Sequence, residues 1–212
     1  MQPPNDSSSQ RRPRALILVR HGESERNADG IEREADSDSP LTDRGRGQAS
    51  ALARWMTQQF ESRAISLRSS PSRRCLETAE TVARRLRSAV VVDEDLREPA
   101  AKEPTMVASA EEAQAMLDAV TSGGARPPRT PTETHAALVA RLRGALDRAL
   151  GESADTVVLV SHFVTLNVLL RLLIEPDSPR AGMWVRLDNA SVTRVEVDGS
   201  GGVMLGFVNR VV

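Results

Sequence analysis

The chain has 212 residues, 40% of them hydrophobic but only 2% aromatic, with a single cysteine and a formal net charge of −1. That length suits one α/β domain with a substantial core. The even charge gives no field for nucleic acid or an anionic membrane, few aromatics leave no base-stacking platform, and one cysteine excludes an internal disulfide or a cysteine-built zinc site.

Residues 1–14 are rich in Pro, Ser, Gln and Arg without periodicity and read as a disordered tail, with the domain at 15–212. No apolar run is long enough to span a membrane, and the N-terminus lacks the apolar segment of a signal peptide. The sequence therefore predicts a cytoplasmic protein without membrane or nucleic-acid partners. Ala15-Leu16-Ile17-Leu18-Val19 is a short branched run of the kind that forms a strand buried on both faces. It breaks directly into Arg20-His21-Gly22, which puts a cation and an imidazole at the carboxyl end of a core strand, where open α/β sheets bind ligands. An imidazole there can attack phosphorus, provided that it is neutral. Neighbouring guanidinium groups disfavour its cation and hold phosphate oxygens.

An acidic loop from Ala28 to Pro40 follows, then an amphipathic helix to about Phe60 with Ala49, Leu52, Ala53 and Met56 as its buried stripe and Thr42 or Asp43 as cap. Gly45 and Gly47, in its first turns, are expected to let it approach the sheet. Residues 64–70 read as a second strand ending in Ser70-Pro71, and a helix from Arg73 to Leu86 buries Cys75, Ala79, Val82 and Leu86. Arg74 lies in its first turn at the same end of the sheet as His21; Arg73 is the solvated neighbour, and Cys75 is a core residue without a partner to make it reactive.

Ala89 to Val92 is a third strand, and four acids leave it: Asp93, Glu94, Asp95 and Glu98. Any of them could protonate a leaving oxygen. A short helix at Glu111–Val120 and a Pro/Gly loop at Ser122–Pro131 precede a long helix to Leu150, capped by Thr132, with His135 in its first turn and Leu138, Leu142, Ala145 and Ala149 inward. Thr156 to Ser161 repeats the opening pattern: an apolar strand, then His162 at its end, with Phe163 placed to line a pocket and a helix over Leu166–Ile174. A β pair at Ser191–Val197 and Val203–Val211 closes the chain. Strands alternating with helices, then a terminal hairpin, predict a three-layer αβα sandwich around a mainly parallel sheet.

The stretch Leu18-Val19-Arg20-His21-Gly22-Glu23-Ser24-Glu25-Arg26-Asn27 resembles the signature of the histidine phosphatase superfamily, the phosphoglycerate mutase-like proteins. So do Leu41-Thr42…Gly45…Gln48-Ala49, Ser70-Pro71-Ser72-Arg73-Arg74-Cys75-Leu76-Glu77-Thr78-Ala79, Leu96-Arg97-Glu98 and Asn189-Ala190-Ser191. The resemblance runs from about Leu16 to Val197. It implies that His21 is the nucleophile, that Arg20, Arg74 and His162 bind the phosphate with Asn27 adding a polar contact, and that Glu98 is the acid that also activates water. It further implies a small phosphorylated substrate and no cofactor or metal, with a homodimer left open. The chain departs from the family after Glu98, where Pro99-Ala100-Ala101-Lys102 replaces the usual aromatic and glycine residues, and after His162, where Phe163-Val164 replaces Gly-Gly. The short interval between Glu98 and His162 favours a phosphatase over a mutase. A phosphate-binding module without turnover is the non-enzyme alternative.

Overall fold

The computed structural model describes residues 14–28, 38–60, 63–99, 133–175, 184–199 and 201–212. The expected tail apart from Arg14, which opens the first strand, most of the acidic loop, the helix at 111–120, the loop at 122–131 and Thr132 lie outside them.

Strand β1 (Arg14–Arg20) leads through a short helix α1 (Glu25–Ala28) to α2 (Asp43–Gln59). Then come β2 (Ile65–Ser69), α3 (Arg73–Leu86), β3 (Val90–Val92) and a single 3₁₀ turn at Glu94–Leu96. Helix α4 (His135–Gly151), β4 (Thr156–Ser161), α5 (Phe163–Ile174), β5 (Val192–Val197) and β6 (Val203–Arg210) complete the order. The strands form one six-stranded sheet in the order β3-β2-β4-β1-β5-β6. β1, β4, β2 and β3 are mutually parallel, and β5 and β6 run antiparallel. The mainly parallel three-layer sandwich is as the pattern predicts.

The apolar runs are continuous because the sheet is covered on both faces. Leu16 and Leu18 of β1 and Val157 and Leu159 of β4 pack with Leu138, Leu142 and Leu169 of α4 and α5. The alternate residues Ala15, Ile17, Val19, Val158 and Val160 pack with Leu52, Met56, Cys75, Ala79 and Val82 of α2 and α3. The same alternation sends the polar residues at the end of each run to opposite faces. Arg20 and Ser161 fall on the α5 face, His21 and His162 on the α3 face. Because β1 and β4 pair in parallel with Arg20 opposite Ser161, the two histidines leave the sheet side by side.

Three local expectations change. The α4 cap is Thr134, whose hydroxyl accepts from the Ala137 amide. Helix α5 starts at Phe163, three residues ahead of the expected start at Leu166. Gly45 is buried and meets the loop after β1 rather than the sheet: a Cβ there would lie 1.9 Å from the Glu23 carbonyl oxygen, whereas one at Gly47 would meet nothing within 4 Å.

Candidate active site

The carboxyl edge of β1, β4 and β2 carries the polar residues. The His21 amide donates to the Ser161 carbonyl at 3.0 Å. The His21 carbonyl accepts from the Ala190 amide at 3.0 Å and from Asn189 Nδ2 at 3.2 Å. Ala190 holds a positive φ of 57°, the left-handed backbone of a tight turn ahead of β5. Both peptide groups flanking the His21 Cα are therefore fixed, one by β4 and one by the turn. Gly22 continues the loop with its amide donating to Thr78 Oγ1 at 3.1 Å, and a side chain there would strike the Gly45 carbonyl oxygen at 2.7 Å. Glu23 faces α2 rather than the histidines, its carboxylate taking Thr42 Oγ1 and Arg44.

His21 is buried, and its Nδ1 lies 2.7 Å from its neighbour's carbonyl oxygen, Gly22 O. A carbonyl only accepts, so Nδ1 carries the proton and the neutral ring keeps its lone pair on Nε2. Arg74 Nε donates to that lone pair at 3.3 Å. Burial holds the His21 imidazole well below the usual histidine range, and the Arg74 and Arg20 guanidinium groups push in the same direction. The ring is therefore neutral at physiological pH.

His162 stands 5.2 Å from His21, ring to ring, edge to face at 66°. Arg74 Nη2 donates to its Nδ1 at 3.0 Å, which assigns the His162 proton to Nε2, and that nitrogen donates to Ser70 Oγ at 2.8 Å. Burial, then Arg74, keeps this ring neutral as well. One buried guanidinium thus touches both imidazoles, which is what the first turn of α3 at this sheet edge makes available. The Cys75 Sγ lies 3.5 Å from His162 Nε2, and burial pushes its thiol up to about 12, so it is packing and not a nucleophile.

Arg20, on the other face, donates through Nη1 to the Leu187 carbonyl at 2.6 Å and lies over the Phe163 ring at 5.6 Å. Phe163 in turn stacks on Trp184 at 6.0 Å. Among the described residues Arg20 Nε is buried with no partner. A buried donor left over beside Arg74 fits an anion.

The structure separates the four acids. Asp93 is buried against Arg68 and Arg148, Asp95 pairs with Arg148, and Glu94 pairs with Arg97. Glu98 alone reaches the start of α5: Oε1 accepts the Val164 amide at 3.0 Å, and Oε2 accepts the Thr165 amide at 3.1 Å and its hydroxyl at 3.0 Å. It sits one turn from His162 and is the strongest charge partner of Arg20. Asn27 is exposed; its Oδ1 accepts from the Ser24 amide and from Asn189 Nδ2, at 3.3 Å each. The structure thus brings His21, His162, Arg74, Arg20 and Glu98 to one edge and gives Asn27 a bracing position beside them.

Sequence reasoning missed Ser70, Thr78, Thr165 and Asn189. Ser70 stands in the Ser-Pro motif, but its partner is 92 residues away across the sheet. Burial lowers His135, and the Arg171 guanidinium pushes it in the same direction. Among the described residues no group of three or more His, Cys, Asp and Glu side chains could hold a metal ion, and no helix is long and apolar enough to cross a membrane.

Residues 16–210 match the family model described as histidine phosphatase superfamily (branch 1). A putative phosphoserine phosphatase 2 from Hydrogenobacter thermophilus is 29% identical over 199 residues, covering 92% of this chain and 95% of its own. A probable phosphoglycerate mutase from Yersinia enterocolitica is 34% identical over 200 residues, covering 91% of this chain and 89% of its own. A mycobacterial glucosyl-3-phosphoglycerate phosphatase superposes with a TM-score of 0.72 at 23% identity, covering 92% of this chain and 99% of its own, which speaks to the fold.

Proposed function

The chain belongs to the histidine phosphatase superfamily, and from that premise we propose that it hydrolyses small phosphomonoesters through a covalent phosphohistidine on His21. The observation that carries the reading is the His21 tautomer: Nδ1 is tied to the Gly22 carbonyl, and the lone pair of Nε2 faces the Arg74 guanidinium. A substrate phosphoryl group takes the place of that nitrogen as the partner of Arg74, with Arg20 Nε as a second donor. Nε2 then attacks phosphorus in line, the ester oxygen leaves with the proton of Glu98, and the guanidinium groups offset the charge on the equatorial oxygens. Water hydrolyses the N–P bond, its proton returning to Glu98. His162, neutral and held by Ser70 and Arg74, keeps the guanidinium aimed and lines the phosphate.

The test is a rapid quench with a labelled phosphomonoester. Label should survive alkali and be lost in acid, as an N-phosphate is, and His21→Ala should carry none. An acid-stable label, or a label persisting in His21→Ala, refutes the mechanism. Glu98→Gln should slow alkyl phosphates by roughly 10²–10⁴-fold, the usual worth of a positioned acid. An activated aryl phosphate should suffer far less.

The relative named a phosphoglycerate mutase gives the second reading some support. If 2- and 3-phosphoglycerate interconvert faster than inorganic phosphate is released, transfer between hydroxyls is the activity and hydrolysis a side reaction.

A further inference from the structure

Glu98 is held by more than its charge requires. Its carboxylate receives two backbone amides of the first turn of α5 and the hydroxyl of Thr165, a fully buried side chain. That hydroxyl has one proton and two acceptors within reach, Glu98 Oε2 at 3.0 Å and the Arg97 carbonyl at 2.8 Å. It can serve only one at a time.

We propose that Thr165 is a positioning residue whose hydroxyl proton follows the charge on Glu98, turning to Oε2 when the side chain is a carboxylate and to the Arg97 carbonyl when it is an acid. The inference rests on the reading of Glu98 as the acid and base of the reaction. Oε2 already takes two donors and Oε1 one, so the exchangeable proton belongs on Oε1. In the first half-reaction the His21 Nε2–P bond forms and the P–O bond breaks with its electron pair on the leaving oxygen. That oxygen takes the Oε1 proton, and the Thr165 hydroxyl swings to the new carboxylate. In the second, a water oxygen bonds to phosphorus, its proton goes to Oε1, and the N–P bond breaks with its pair on Nε2. Inorganic phosphate leaves, and the hydroxyl returns to Arg97. In each state of Glu98 the Thr165 hydroxyl proton has an acceptor without movement of a heavy atom, which preorganises both halves.

A hydroxyl bonded to a carboxylate is stronger than the same hydroxyl bonded to a neutral carbonyl. Removing it therefore disfavours the carboxylate and keeps the acid protonated to higher pH. Among the described residues, the other groups shown to act on Glu98 are Arg20 of β1 and Cys75 of α3, whereas Glu94 and Asp95 on its own segment are paired with Arg97 and Arg148. None of these changes in a Thr165 variant.

The experiment is the pH dependence of kcat/KM on an alkyl phosphate for the wild type, Thr165→Val, Thr165→Ala, Thr165→Ser and Glu98→Gln. The basic limb of the profile should move up by roughly half a unit to one unit in both the Val and Ala variants. Serine should restore it, and Glu98→Gln should abolish it. Val and Ala variants that lose rate with the limb unmoved, while Glu98→Gln abolishes the limb, overturn the inference and leave the role of Glu98 standing. A limb that persists in Glu98→Gln overturns both. Because Ala removes the hydroxyl without placing a new methyl group, it decides the matter if Val does not fold.

Discussion

Arg74 is the place where binding and protonation can be separated. The residue is 7% exposed, and its side chain donates to Nε2 of His21 and Nδ1 of His162. Two substitutions divide what it does. Lysine keeps the charge but not the two-pronged geometry; glutamine keeps one donor, at about the position of Nε, but removes the charge and the guanidinium fork. A hydrogen bond to a charged group contributes about 1.5–3 kcal/mol, so losing a bidentate hold on a phosphoryl group removes about 3–6 kcal/mol. At about 1.4 kcal/mol per decade, that lowers kcat/KM by roughly 10²–10⁴-fold for Arg74→Gln. Arg74→Lys keeps one contact and should lose roughly half of that on a logarithmic scale. The imidazoles report the other effect. After burial, Arg74 is the second cause of the low protonation of both rings. In Arg74→Gln the midpoints of His21 and His162 should therefore rise, yet stay below the ordinary 6.5 because burial remains. In Arg74→Lys they should stay near those of the wild type. Proton–carbon NMR titration of the ring carbons reads the midpoints, and steady-state kinetics on an aryl phosphate reads the loss. Full activity in Arg74→Lys, or midpoints that do not move in Arg74→Gln, would refute the assignment.

The same two histidines tie stability to pH. Their folded-state midpoints lie below the unfolded value, so the unfolded chain takes up protons first and stability is lost as pH falls through 6.5. Unfolding free energies from urea titrations should be flat from pH 8 to 7 and then fall by up to about 1.4 kcal/mol per pH unit for each histidine as acid is added; His162→Asn should reduce the slope, and an unchanged slope counts against burial as the cause. The paired glycines of α2 give a steric test. Gly45→Ala drives a Cβ into the Glu23 carbonyl oxygen and should cost at least the roughly 1–3 kcal/mol of an overpacked core. Gly47→Ala, in open space inside a helix, should stabilise by about 0.5–1 kcal/mol. Chemical unfolding of both variants checks the pair, and equal effects would mean that the loop after β1 does not lean on α2.

The sheet was legible because two runs, Ala15–Val19 and Thr156–Val160, are buried at every position, and such near-continuous apolar runs are what a strand covered on both faces demands. The polar residues that end those runs were legible as a site for the same reason: nothing in a core strand explains Arg20-His21 or Ser161-His162. Their division between two faces also comes from alternation. Partners that depend on which strands are neighbours were hidden. Ser70 meets His162 because β2 lies beside β4, and Asn189 reaches the His21 carbonyl because β5 lies beside β1. No local pattern states that order. Gly47 departs from expectation through helix phase: two residues beyond Gly45 is a turn of about 200°, which carries it from the packed side to open space.

The start of α5 shows how far a site can reshape its own scaffold. Local signals put the first turn at Leu166, because Thr165 just ahead of it can cap a helix and both Val164 and Thr165 are branched. The helix nevertheless begins at Phe163, with His162 extended at φ −119° and ψ 170° as its N-cap. The unsatisfied amides of a first turn need an acceptor, and here it comes from another segment altogether, since Glu98 takes those of Val164 and Thr165. A carboxylate at a helix N-terminus also meets the positive end of the helix dipole. The contact that lengthens the helix is therefore the one that fixes Glu98 beside His162. His162 is locked to the same turn, with its ring held from the far side by Ser70. Helix start, Glu98 and His162 form one mechanical unit, and glycines at 163 and 164 would leave its backbone free where this chain's Phe163 and Val164 stiffen it.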